Sequence, residues 1–309
     1  MVSVPQKLPF LEAVCWQTEN PYRLSPEEML CRYERGWRYR GVVADLEEEE
    51  RQFVQNLGQR YGSWISMEFQ QDQHQRILTA LNLLNSEFLE ACRAFFGGGT
   101  LLALKYEEYR VSQDIDFLCA DSSGYRRLRD GIYEQGYAAL FLSQEGIGLP
   151  RSIQTDQYAV RFPVVIDGAS IRFEIVREAR ISLDPPERLS FLPVACLNTA
   201  DSFAEKLMAN ADRWLDASVE SRDLIDLAML RLHSPIPESA ITKATDAYPV
   251  IGPLQRAITT FQNKPDYRER CYQSLQVRSP QMIADGLDQL ASDFGLPAME
   301  RISVEQRQS

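Results

Sequence analysis

From Gln73 to Phe95 the apolar residues Ile77, Leu81, Leu84, Phe88, Cys92 and Phe95 recur at intervals of three and four, the spacing of one helix face. The pattern predicts a single amphipathic helix over 73–95. Gly98 and Gly99 then open a short helix. At Asp114-Ile115-Asp116-Phe117 the period falls to two. Side chains two apart on a strand share a face, so Ile115 and Phe117 are expected in a core and Asp114 and Asp116 together on the other side. Residues 122–135 read as a helix and 138–142 as a short strand. Residues 158–177 read as a hairpin turning on Asp167-Gly168, a strong two-residue turn signal. In its second strand Ile171, Phe173 and Ile175 share one face, leaving Arg172, Glu174 and Val176 on the other. Beyond about 185 the spacing is helical, over 199–214, 219–233, 237–247, 253–263, 266–276 and 280–293.

Residues 1–62 read as a separate extension. Ser25-Pro26-Glu27-Glu28 is a helix start: a capping serine, proline in the first turn, then acids. A second helix is predicted over 44–60, with Leu46, Phe53, Leu57 and Tyr61 as a sparse apolar stripe. So short a segment is expected to hold little core alone and to dock on the rest. Between these helices, Arg32 to Arg40 interleaves arginines with Tyr33, Trp37 and Tyr39. Such a run can clamp RNA, but packing of the rings against the main body is the favoured expectation. The expected organisation is 1–62, 63–185 and 186–309, with the tail from Arg301 frayed.

Two carboxylates side by side repel, and Asp114 and Asp116 therefore call for a compensating charge. Hard oxygen ligands point to a divalent cation, Mg²⁺ first. The Gly98-Gly99-Thr100 step offers backbone N–H groups at a helix start, suited to phosphate. Together they point to phosphoryl or nucleotidyl transfer. Glu174 is an acid in the middle of an otherwise apolar strand. Lys206, Ala209 and Arg213 share a helix face, and Arg222 and Asp226 are spaced as an i,i+4 pair.

The string Gly-Gly-Thr, short helix, then Arg110-x-Ser112-x-Asp114-Ile115-Asp116-Phe117 resembles the AbiEii/AbiGii toxin family, within the nucleotidyltransferases related to DNA polymerase β. Lys206-x-x-Ala209-x-x-x-Arg213 followed by Arg222-Asp223-x-x-Asp226-Leu227 is similar to that family's C-terminal signature. The resemblance runs from about Gln73 to Leu230. It implies an α+β fold: a polymerase β-like core with a mixed sheet flanked by helices, then an α-helical C-terminal domain. Here the small helical N-terminal extension would precede it. The implied reaction moves a nucleoside monophosphate from an NTP to an acceptor hydroxyl, an RNA such as tRNA in toxin-like members. The resemblance implies that Asp114, Asp116 and Glu174 hold two Mg²⁺ ions. Gly98, Gly99 and Thr100 would cradle phosphates, Arg110 and Ser112 would brace the turn or touch phosphate, and Lys206 and Arg213 would face the nucleotide, oriented by Asp226. A cognate antitoxin is the implied protein partner.

Composition narrows the alternatives. The net charge of −11 argues against a general nucleic-acid binder but leaves room for a local basic patch. No apolar run approaches the ~20 residues a bilayer requires, and the first residues lack a signal-peptide pattern, so a cytoplasmic protein is expected. The six cysteines have no paired spacing and the two histidines, His74 and His233, form no cluster with them. Reduced structural thiols are expected, and His74 is read as solvated. Two other functions remain: nucleotidyl transfer to a small molecule such as an aminoglycoside, and a non-catalytic nucleotide-binding module. A basic groove beside the carboxylates would favour RNA, and a closed acidic pocket a cationic small molecule.

Overall fold

The computed structural model describes residues 4–18, 20–39, 43–61, 63 and 71–299. The Arg38 side chain, Arg40 and the tail from Arg301 lie outside the described residues. Among the described residues, three α-helices form the N-terminal part: α1 (Pro9–Val14), α2 (Pro26–Gly36) and α3 (Glu48–Tyr61). The predicted start of α2 is realised as a full capping box, with Ser25 Oγ accepting from the Glu28 amide and the Glu28 carboxylate accepting from the Ser25 amide.

Next come α4 (Asp72–Leu83), α5 (Ser86–Ala91), β1 (Ala94–Gly97), α6 (Gly98–Lys105), β2 (Asp114–Cys119), α7 (Ser122–Gln135) and α8 (Tyr137–Leu140). Strands β3 (Gln154–Thr155), β4 (Ala159–Ile166) and β5 (Ala169–Arg177) follow. Helices α9 (Thr199–Arg213), α10 (Arg222–His233), α11 (Glu238–Ala247), α12 (Ile251–Asn263), α13 (Pro265–Ser274) and α14 (Pro280–Asp293) complete the chain. Among the described residues the strands form a mixed sheet in the order β1-β2-β5-β4-β3, with β2 and β5 parallel and the other neighbours antiparallel. The α+β class with a helical C-terminal part is as expected. The Asp167-Gly168 turn is also as expected, both residues having positive φ (49° and 77°), the backbone that a two-residue hairpin turn demands.

The predicted helix over 73–95 is instead two helices and a strand. Leu84 is extended and bridges Phe141, and the Asn85 side chain accepts from the Phe88 amide to start α5 afresh. Every turn of this stretch carries an apolar residue, so periodicity alone does not mark the break. Residues 138–142 are not a strand. Gly136, at φ 58°, redirects the chain into the single turn of α8, leaving only Phe141 to make an isolated bridge. Helix α3 begins later than predicted, at Glu48.

The far side of the sheet carries a row of rings. Phe96 lies 5.5 Å from Phe117, Phe117 5.6 Å from Phe173, and Phe173 4.6 Å from Phe162, one ring from each of four adjacent strands. These rings are buried with Ile115, Ile171 and Ile175 in a core that continues without interruption into α9, α10, α12 and α14. Since alternate strand residues point oppositely, burying this row fixes Asp114, Asp116, Arg172 and Glu174 on the opposite face.

The extension has a core of its own, contrary to the expectation from its length. Leu8, Phe10, Leu11, Met29, Leu30, Tyr33, Phe53, Val54 and Leu57 cluster together. Two aromatics of the Arg32–Arg40 run serve that cluster: Phe10 stacks on Tyr33 and meets Trp37 edge-on, whereas Tyr39 is exposed. Buried Tyr33 is therefore not a platform for a base. Among the described residues no helix is long and apolar enough to cross a membrane, and the cysteines are all free.

Candidate active site

The two glycines sit where they do for steric reasons. Gly98 begins α6 with φ 69°, and a Cβ there would lie 2.8 Å from Asp116 Oδ2. A Cβ on Gly99 would lie 2.1 Å from an Arg110 guanidinium nitrogen. The pair thus lets the start of α6 approach one carboxylate and one buried cation. Thr100 has a different place. It is fully buried, and its hydroxyl donates to the Asp114 carbonyl (2.5 Å) and lies in hydrogen-bond contact with the Ser112 hydroxyl (2.8 Å). That hydroxyl ties α6 to the start of β2 rather than lining the cavity.

Asp114 and Asp116 share the exposed face of β2, and in the parallel register Asp114 is opposite Arg172 and Asp116 opposite Glu174. Arg172 Nη2 is 3.0 Å from Asp114 and Arg161 Nε is 2.5 Å from Glu174. Asp116 makes no hydrogen bond or ion pair among the described residues. Burial and the neighbouring Asp114 charge push its pKa up to about 6, against the pull of Arg172 and Lys206. A carboxylate so placed gains from any added cation.

The turn before β2 is held from behind. His74, fully buried, accepts the Ser112 N–H at Nε2 (3.0 Å) and donates from Nδ1 to Glu108 (2.8 Å). Burial holds its pKa below the usual imidazole value, in keeping with a neutral ring accepting a backbone hydrogen bond. His74 is thus a buried brace, where the sequence suggested a solvated residue. The signal that was missed is Glu108, which also accepts the Gln71 amide (3.1 Å).

Across from the sheet, α9 and α10 present an interlocked charge cluster. Asp226 accepts from Arg110 Nε (2.6 Å) and Nη2 (2.8 Å) and from the Tyr109 hydroxyl (2.6 Å), with Lys206 Nζ at 3.2 Å. Asp223 takes Arg213 in a two-pronged contact at 2.8–3.1 Å and lies 3.3 Å from Lys206. Burial would lower the Lys206 pKa, but Glu205, Asp226 and Asp223 more than offset it and hold the ammonium charged. Burial likewise opposes ionisation of Asp226, yet Arg110 and Lys206 keep it below the ordinary carboxylate range. Arg222 and Asp226 do not pair as their spacing suggested. Asp226 turns inward to Arg110, while Arg222 faces the cavity with no ion pair among the described residues.

Sheet face, α6 start and α9/α10 enclose a cavity of about 480 Å³. Gly98, Gly99, Arg110, Ser112, Asp114, Asp116, Glu174, Lys206 and Arg213 line it, whereas Thr100 and Asp226 stand behind its wall. Sequence reasoning passed over Arg172, Glu205 and Asp223. Arg172 was legible from the same alternation that singled out Glu174, and Asp223 from its i,i+3 spacing to Asp226.

The donor chemistry fits a divalent cation: three carboxylates on adjacent strands, one of them unpartnered. Among the described residues, however, no set of three or more His, Cys, Asp or Glu side chains converges as a metal cage. Arg161 and Arg172 instead engage two of the three carboxylates.

Comparison with known proteins agrees with the resemblance read from the motifs. The model of the family described as nucleotidyl transferase AbiEii toxin, type IV TA system, matches residues 79–270. JHP933 from Helicobacter pylori is 17% identical, with a TM-score of 0.43, over 72% of this chain and 92% of that one. A second H. pylori protein, provisionally assigned as a nucleotidyltransferase, is 16% identical with a TM-score of 0.39, over 74% and 98%. The Megavirus polyadenylate synthase is 12% identical with a TM-score of 0.23, over 78% and 46%. No curated protein matches at a significant level.

Proposed function

This chain belongs to the AbiEii nucleotidyl transferase toxin family, and from that premise we propose that it transfers a nucleoside monophosphate from an NTP to a hydroxyl of an RNA acceptor. The observation that carries the reading is the placing of Asp114, Asp116 and Glu174 on one sheet face, between the glycine start of α6 and the cations of α9.

Asp114, Asp116 and Glu174 would hold Mg²⁺. When bound, the metal supplies charge stabilisation at the attacking and leaving oxygens of an in-line displacement. The chain's own residues supply the rest. Backbone N–H groups at Gly98 and Gly99 would receive phosphate oxygens. Lys206 and Arg213, held charged and in place by Asp223 and Asp226, would compensate charge that builds on the leaving pyrophosphate. Arg110 acts one step back: its fork is spent on Asp226 and on the Val111 carbonyl, so it orients the Lys206 cluster and the turn into β2. Ser112 lines the cavity on that turn.

The family resemblance carries the choice of an RNA acceptor. The cavity lining is mixed in charge, with Arg172, Arg180, Arg213 and Arg222 beside Glu178, Glu205, Asp212 and Glu220, and Arg222, which makes no ion pair among the described residues, is the cation best placed to meet a phosphate of the acceptor. As a toxin-family member the chain would be silenced by a cognate antitoxin. The test is label transfer from each α-labelled NTP to total bacterial RNA with Mg²⁺, comparing wild type with Asp116→Asn. Label in RNA from one NTP, lost in the variant, is expected. Equal labelling by the variant would sink the reading.

A further inference from the structure

The carboxylates of β2 and β5 already have a cation of their own. Arg172 is register-paired with Asp114 and shares a strand face with Glu174. Its Nη2 lies 3.0 Å from Asp114 Oδ2 and 3.9 Å from Glu174 Oε2, so one guanidinium nitrogen bridges two of the three oxygen donors assigned above to a divalent ion. Its side chain is 56% exposed, whereas Asp114 is 30% and Glu174 13% exposed. The head can therefore leave without unpacking any core. The other cations nearby cannot make that move: Arg110 and Lys206 are 3% and 5% exposed and tied to Asp226. Arg161 has a second anchor at Asp156, 3.4 Å away, besides Glu174.

A guanidinium and a hard divalent cation compete for the same carboxylate oxygens. The first binds through directed N–H donors, the second through direct oxygen coordination, and like charge bars both from one oxygen pair. Resting on the carboxylate reading above, we propose that Arg172 is an exchangeable counter-cation of the Asp114–Asp116–Glu174 cluster, displaced from Asp114 when a divalent ion binds, and that it sets how tightly the cluster takes that ion. The cluster is thereby kept ordered and partly neutralised by a tethered charge. A metal arriving with a nucleotide replaces Arg172 more readily than a bare ion does, because the phosphates compensate the displaced head in the cavity.

The test is Mn²⁺ binding to the full chain, read by the loss of the free-ion EPR signal in the absence of nucleotide. Wild type is compared with Arg172→Gln, Arg172→Lys and Asp116→Asn, each checked for folding by circular dichroism. Arg172→Gln is expected to bind Mn²⁺ about tenfold more tightly, since a like charge beside the ion is removed. Arg172→Lys should fall between it and wild type, because a hydrated point charge competes less well for two oxygens. Asp116→Asn should lose the site. Unchanged or weaker binding in Arg172→Gln, with loss in Asp116→Asn, overturns the counter-cation role and leaves the carboxylate reading intact. Unchanged binding in Asp116→Asn overturns that reading itself. If Arg172→Gln does not fold, Arg172→Lys decides: tighter binding supports the exchange and equal binding overturns it.

Discussion

Arg110 and Asp226, 116 residues apart in the chain, meet as a two-pronged pair, Nε to Oδ1 at 2.6 Å and Nη2 to Oδ2 at 2.8 Å. The pair fastens the turn before β2 to helix α10, and therefore the sheet's carboxylates to the cations of the helical part. Both side chains are buried, at 3% and 0% exposure. Removing Asp226 strands Arg110 and takes from Lys206 one of its three acidic neighbours. Asp226→Ala is expected to cost about 3–5 kcal/mol in urea denaturation. A loss under about 1 kcal/mol would mean that Asp223 can take over both cations, contrary to this account.

Gly98 and Gly99 separate two effects that a single motif conflates. Gly99→Ala drives a methyl into the Arg110 guanidinium, so it should mimic loss of the Arg110–Asp226 pair. Gly98→Ala strains a positive-φ residue and crowds Asp116, and should cost about 1 kcal/mol or more. Nucleotidyl transfer should fall at least tenfold in both. In Gly99→Ala, adding Arg110→Lys should recover part of the stability by vacating the clash. A double variant no better than the single would show that the clash is not with Arg110.

The elements legible in the sequence are those whose pattern has one physical cause. The helix expected over 122–135 matches α7, and its limits have local causes, since Asp121 caps it and Gly136 ends it. The hairpin was readable because Asp-Gly permits the turn its strands require. The Asp114/Asp116 face followed from alternation alone. What was not legible depends on contacts between distant segments. Nothing local to His74 says that Ser112 and Glu108 enclose it, and nothing local to Thr100 says that its hydroxyl turns to Asp114's carbonyl. The division of Arg110 to Asp226 and Arg213 to Asp223 is likewise a tertiary choice, since i,i+4 spacing gave Asp226 to Arg222.

His74 offers a check on that buried brace. His74→Phe keeps the ring volume but leaves the Ser112 N–H without its acceptor and removes one of the Glu108 carboxylate's donors, at about 1–3 kcal/mol for the stranded N–H. Chemical denaturation at neutral pH should register the loss, with transfer reduced as the Ser112 turn loosens. Stability equal to wild type would return His74 to the role of a bystander. In wild type, the depressed imidazole pKa means that unfolding takes up a proton as pH falls below about 6.5, so this part of the stability declines on acidification.

The N-terminal extension should be separable. Glu50, fully buried, accepts the amides of Phe10 (2.9 Å) and Leu11 (2.8 Å) and the Tyr33 hydroxyl (2.8 Å). It thus satisfies two donors at the start of α1 that have no helical partner. Glu50→Ala should open residues 8–57 to proteolysis while the remainder resists cleavage, because the two hydrophobic clusters are distinct. Cleavage spread evenly over the whole chain would argue for one cooperative unit.

Asp116 makes the strongest pH prediction. Its carboxyl is pushed up to about 6 by burial and by Asp114, from an ordinary 3.8. Between those values the folded chain holds a proton that the unfolded chain has released, so stability falls as pH rises through this window. Above it the folded protein carries an ionised, unpartnered carboxylate at a cost on the order of 1–3 kcal/mol. Asp116→Asn removes that cost. In EDTA its melting temperature should exceed that of wild type at about pH 7.5, and the two should converge below about pH 3, where the acid is protonated in both states. Adding Mg²⁺ at the higher pH should raise wild type and leave the variant unmoved. Parallel melting curves across the whole range would mean that Asp116 is compensated by the protein alone, and the case for a cation at this face would lose its physical basis.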